Sequence, residues 1–76
     1  AHENKVVESL ETPDGGRCVD IFGRPDGTFG FEEFRRDIED ARGWFPIGHH
    51  GGRVFPSADA AHDQALKSVP WLADVV

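Results

Sequence analysis

The sequence predicts an α+β domain: a three-stranded antiparallel β-meander, open to extension into a four-stranded one, packed against a single C-terminal α-helix. Three observations carry this expectation. The tripeptide Pro-Asp-Gly occurs twice, at 13–15 and 25–27. Segments containing β-branched and aromatic residues flank both copies, at Lys5 to Glu11, Arg17 to Gly23 and Thr28 to Arg36. Nearer the C-terminus, Ala58, Ala61, Ala65, Leu66 and Val69 recur at spacings of one face of a helix.

In each Pro-Asp-Gly, Pro presets φ for the first central turn position, Asp accepts local backbone hydrogen bonds, and Gly takes the left-handed conformation that returns the chain. Two such turns between strand-like segments give consecutive hairpins, hence a meander. Val19 and Ile21 share one parity and Cys18, Asp20 and Phe22 the other, while Phe29 and Phe31 oppose Gly30, Glu32 and Phe34. Aromatics on both parities fit either a sheet with one face under a helix and the other partly covered, or a bulge near Gly30 that resets the alternation.

Asp37 to Gly43 is polar and ends in Gly, which reads as a connecting loop with one helical turn. Trp44 to Gly48 is apolar but interrupted by Pro46, the pattern of an edge strand or a packed extended segment. His49 to Gly52 reads as a loop and Arg53 to Phe55 as a short extended piece. The helix is expected from Ala58 to Val69, with Ser57 as N-cap, Asp59 in the first turn, Lys67 in the last and Pro70 as the stop. Its stripe of small residues lets it lie close to the sheet and leaves room for rings. Trp71 and Leu72 then return to a core closed by Trp44, Phe45, Phe55 and Trp71. Residues 1–4 and 74–76 are expected to be disordered.

The chain has 76 residues and a formal charge of −6, and Leu, Ile, Val and Phe make up a quarter of it, enough for one folded domain over 1–76 and too little for a two-domain enzyme. Residues 1–40 hold 11 acidic and 5 basic side chains, whereas residues 41–76 hold 3 of each, so the acidity belongs to the meander. The single cysteine, Cys18, cannot close an intramolecular disulfide, and no apolar run reaches the ~18 residues of a membrane span. These features point to a cytoplasmic protein with no membrane association.

Four constellations are of the residue types that carry chemistry. His49 and His50 with His62 and Cys18 are the one metal-like set, but closed-site spacings are missing and the expectation is solvated loop histidines and no metal. Cys18 is expected to be a small core or half-buried strand residue rather than a nucleophile. Pro25-Asp26-Gly27-Thr28 lacks the alternating ligands of a calcium loop and reads as a turn. Glu32, Glu33, Asp37, Glu39 and Asp40 could form an acid and base pair, but are expected to be a solvated acidic edge, with Arg35 and Arg36 pairing across strands to Glu or Asp.

At Phe55-Pro56-Ser57-Ala58-Asp59-Ala60-Ala61, preceded by a Gly-rich loop and a meander, the order of elements resembles the AP2-type and integrase arm-type DNA-binding domains. The match covers about ten residues and implies a sheet face presented to the major groove. The corresponding strands here carry Asp20, Glu32 and Glu33 beside Arg17, Arg35 and Arg36, a departure on the functional face. Residues 24–34 and 43–48 are also similar to small single-domain bacterial proteins of unassigned function, which implies no activity.

No motif assembles a nucleophile, base and stabiliser. The reading is therefore a non-enzymatic acidic interaction module without cofactors, binding a protein partner through the aromatic and Gly-rich loop; the expected contacts are Trp44, Phe45, His49, His50 and Arg53. Nucleic-acid binding through clustered arginines is the alternative, disfavoured by the charge, and a metal- or thiol-dependent enzyme comes third. A purely structural or toxin-neutralising role, in which an acidic surface meets a basic partner, completes the set.

Overall fold

The structure, a computed structural model, describes residues 4–36 and 43–75. Four strands, β1 (Lys5–Glu11), β2 (Arg17–Gly23), β3 (Phe29–Arg36) and β4 (Trp44–Ile47), form one antiparallel sheet in the order β1-β2-β3-β4. One helix, α1 (Ala58–Ser68), and a 3-10 turn at Leu72–Asp74 follow. The expected α+β meander with a C-terminal helix is therefore present in its four-stranded form. The loop expected from Asp37 falls, through residue 42, outside the described residues, as do residues 1–3 and 76. Asp74, expected in a frayed tail, lies in the 3-10 turn, where its N–H donates to Trp71 O at 3.1 Å.

Both Pro-Asp-Gly turns close as their chemistry requires. Gly15 N–H donates to Thr12 O at 2.9 Å and Gly27 N–H to Arg24 O at 3.1 Å, with φ of +72° and +88° at the two glycines. Asp14 accepts from Gly16 N–H and from the Thr12 hydroxyl, and Asp26 from the N–H and hydroxyl of Thr28. These hydroxyl bonds first, and the backbone bonds next, hold both carboxyls below the ordinary carboxylate range.

Alternation along the paired strands sorts side chains by face. Leu10, Val19, Ile21, Phe29, Phe31 and Glu33 look towards α1, and Ser9, Glu11, Cys18, Asp20, Phe22 and Phe34 look away. The β2–β3 register is unbroken through Phe22↔Gly30, so no bulge lies at Gly30; the one irregularity falls in β1 between Val6 and Glu8. Aromatics occur on both parities because the sheet has one face under the helix and a second face of its own.

The core consists of Val19, Ile21, Phe31, Ala61, Ala65, Val69 and Leu72, with Leu10, Phe29, Phe55, Leu66 and Trp71 packed against it. Phe31 is fully buried at its centre, a contribution of about 1.5–3 kcal/mol from removing one such side chain from water. Ala61 and Ala65 keep the helix close enough for that ring to fill the gap. Trp44, expected in the core, instead projects from the other face and is 39% exposed, because it follows Gly43 on the parity opposite Phe45.

The helix starts where Ser57 Oγ accepts from Ala60 N–H at 3.1 Å, and ends at Val69, whose N–H still reaches Ala65 O. Pro70 pushes Val69 into an extended conformation, φ −113° and ψ 102°, by steric conflict with a helical predecessor. β4 covers only Glu33 to Arg36 along β3; the other end of β3 is closed by Phe55, which exchanges two 2.8 Å backbone bonds with Phe29.

Gly30 holds these parts in register. A Cβ there would stand 2.7 Å from Arg24 Nη2 and 2.9 Å from Phe22 Cζ. The Arg24 guanidinium stacks 4.9 Å from the centroid of the Phe22 ring and donates to Phe29 O, Gly51 O and Arg53 O, each at 2.9 Å. It thus ties the loop after β4 to the second hairpin and has no freedom to retreat. Gly30→Ala should lower stability in urea unfolding by about 1–3 kcal/mol, the usual cost of overpacking. The same substitution should cost much less in an Arg24→Ala background, whereas strictly additive losses would contradict the clamp.

Candidate functional site

The helix-free face carries a shallow groove of about 400 Å³ lined by Ser9, Glu11, Cys18, Asp20, Phe34, Arg36 and Trp44. It exists because α1 covers only the opposite face, so the side chains of this parity are left to one another and to solvent. Its rim is Trp44, with the Arg36 guanidinium 5.9 Å from the indole centroid, and its floor is Phe34 and Cys18. Ser9 Oγ donates to Asp20 Oδ1 at 2.7 Å, and Cys18 Sγ donates to the same oxygen at 3.3 Å. Glu11 forms no ion pair among the described residues.

Burial pushes the Cys18 thiol up to about 11, with the Asp20 carboxylate adding to the effect and the Ser9 hydroxyl opposing it. Such a thiol is protonated at neutral pH and is a poor nucleophile. The residue is 7% exposed and free, as expected for a packed strand cysteine.

On the other face lies a polar cluster around Glu33, which is only 8% exposed. Its Oε2 accepts from Trp71 Nε1 at 2.9 Å and stands 3.9 Å from Arg17 Nη1; its Oε1 is 3.5 Å from His50 Nε2. The His50 ring stacks on Phe31 with centroids 4.9 Å apart. Gly48, at φ +78°, and His49, at φ +54°, turn the chain back so that His50 reaches this position, and a Cβ on Gly48 would collide with the imidazole.

Glu33 therefore does not belong to a solvated acidic edge. It shares the parity of Phe29 and Phe31, which turns it inward, while Glu32 lies on the opposite face beside Gly51. Asp37, Glu39 and Asp40 fall outside the described residues. Nor do Arg35 and Arg36 face carboxylates across the strands: the register sets Arg35 opposite Arg17 and Phe45, and Arg36 opposite Trp44. The parity of Glu33 was the signal that could have turned it inward from sequence; no signal pointed to its partners on the loop and the tail.

The five expected contact residues do not share one surface. Trp44 rims the groove, and Phe45 alternates to the helix side and is half-buried. His49 is exposed, whereas His50 is engaged by Phe31 and Glu33. Arg53 is exposed, 5.6 Å from the Phe55 centroid, and donates to Ser68 Oγ at 3.2 Å. His62 pairs with Glu8 at 3.6 Å, away from the other histidines, and the described residues contain no group of three or more His, Cys, Asp or Glu placed to hold a metal. No described helix is long and apolar enough to cross a membrane.

The chain matches no protein-family model, no curated protein and no solved structure.

The geometry around Cys18 sets an expectation for its chemistry. At pH 8 its thiolate fraction should be on the order of a hundredfold below that of an unperturbed thiol, so alkylation by iodoacetamide, followed by mass spectrometry, should be slower by a similar factor. Labelling at the rate of free cysteine would contradict the burial and hydrogen bonding described.

Proposed function

We propose that this chain is a small, acidic, non-enzymatic interaction module that binds a positively charged protein partner on the helix-free face of its sheet. The observation that carries the reading is the groove in which the exposed Trp44 ring and Phe34 stand beside the carboxylates of Glu11 and Asp20. Aromatic anchors supply apolar area at low entropic cost, and carboxylates beside them select a cationic partner. The net charge of −6 favours encounter with such a partner over the whole surface.

A phosphate backbone is a poorer occupant, because Glu11, Asp20 and Glu32 lie on this face and Arg24 is already committed to three carbonyls. Catalysis has less support as well: the Cys18 thiol is protonated at neutral pH, and His50 and His62 are engaged by Glu33 and Glu8, neither of which lines the groove. A cytoplasmic location accords with the single, free cysteine.

The reading is tested by selecting from a random peptide display library on the native protein and then measuring the enriched peptides against Trp44→Ala. Enriched peptides should carry Lys or Arg beside apolar residues and should bind Trp44→Ala at least about tenfold more weakly, as expected for loss of an aromatic anchor. Enrichment without basic residues, or affinity unchanged by Trp44→Ala, would overturn it.

A further inference from the structure

We propose that the partner is an extended basic segment that adds to the sheet as a fifth strand along the outer edge of β1, where the two described cavities of the molecule border one free strand from opposite faces. This deepens the reading of a basic partner and rests on it.

Among the described residues nothing pairs with the outer edge of β1, since the sheet order places that strand at one end. The groove on the helix-free face reaches it through Ser9 and Glu11. On the other face a pocket of about 360 Å³ lies between β1 and the start of α1, lined by Val7, Glu8, Ile21, Ala58, Asp59 and His62. Val7, which lines it, is 52% exposed, and Val6, opposite Phe22 on the other face of the same strand, is 54% exposed, two of the large apolar side chains left in solvent among the described residues. Successive side chains of an added strand point to opposite faces, so such a segment would fill both cavities from a single backbone.

Charge selects the occupant. Each cavity joins an apolar floor to two carboxylates and one basic side chain: Phe34 and Trp44 with Glu11, Asp20 and Arg36, the last lying over the Trp44 ring, on one side, and Val7, Ile21 and Ala58 with Glu8, Asp59 and His62, the last paired with Glu8, on the other. Lys or Arg side chains match both, their alkyl stems lying on the floor and their charges at the rim. The bulge between Val6 and Glu8 confines regular pairing to Glu8–Glu11 and, with those two carboxylates, discourages indiscriminate strand addition. A second copy of the chain fits poorly, because it would bring another set of Glu8 and Glu11 and a further charge of −6 to the same edge.

The test is a titration of the native protein, followed by amide chemical shifts, with a capped eight-residue peptide alternating Lys and Val. Two isomers N-methylated on alternate residues, at Lys or at Val, serve as probes of backbone pairing. The expected result is shifts at Glu8–Glu11 and in both cavities, with one methylated isomer binding at least tenfold more weakly and the other unchanged. If all three peptides bind alike and shifts are confined to the side of Asp20, Phe34 and Trp44, edge pairing is overturned while the basic-partner reading stands. If none binds at millimolar concentration, both fall. Shifts at β1 that grow with protein concentration in the absence of peptide assign the edge to a second copy and overturn the proposal.

Discussion

The buried carboxylate of Glu33 is the constraint on which the irregular half of this fold depends. A carboxylate removed from water costs several kcal/mol unless donors and cations replace its hydration. Here the replacements come from three separate stretches of chain: the Trp71 indole beyond the helix, the His50 imidazole beyond β4, and the Arg17 guanidinium on β2. Three groups from separate stretches converging on one carboxylate tie the last turn and the glycine-rich loop to β2 and β3. The interaction therefore specifies where those segments lie more than it adds to the free energy of folding.

Its position follows from the sheet beneath it. Glu33 sits two residues beyond Phe31 on the same face, between Val19 of β2 and Ile47 of β4. Phe31 fills the space that the alanines of α1 leave, and its ring also supports His50, so the apolar and polar parts of this face share one aromatic. On the far side of the sheet Arg24 performs a comparable task with neutral acceptors, fixing the same loop through Gly51 O and Arg53 O. With both ends of the loop anchored and the helix confined to one face, the groove beneath Trp44 is left open. Structure and proposed function meet there: the helix covers one face of the sheet and leaves Phe34 and Trp44 on the other.

The elements governed by local chemistry were legible in the sequence. Both hairpins follow from Pro-Asp-Gly and the helix from Ser57, its alanine stripe and Pro70, with ends within a residue of those expected. Illegible were features set by partners distant in the chain: the bulge at Val7, the opposition of Arg17 and Arg35, and the convergence on Glu33, whose donor Trp71 lies 38 residues away. Alternation alone would have turned Glu33 inward beside Phe31, but what it meets there depends on where the loop and the tail return. Of the candidate site, Trp44 is conspicuous in the sequence as an aromatic in a glycine-flanked, proline-interrupted strand, but its exposure was not legible, since the same ring was expected to close the core. Nor was the groove it rims, since it is assembled from alternate residues of all four strands.

The role of Glu33 is tested most directly by exchange of the two indole N–H protons, resolved by NMR in the native protein and in Glu33→Ala. Trp44, whose indole N–H makes no hydrogen bond among the described residues, serves as the internal standard. The account predicts that the Trp71 proton exchanges at least about tenfold more slowly than that of Trp44 in the native protein, and that the substitution removes this protection together with the ring-current shift of His50 while the amides of β1 and β2 remain protected. Equal exchange of the two indoles in the native protein, or protection of Trp71 that survives Glu33→Ala, would contradict it.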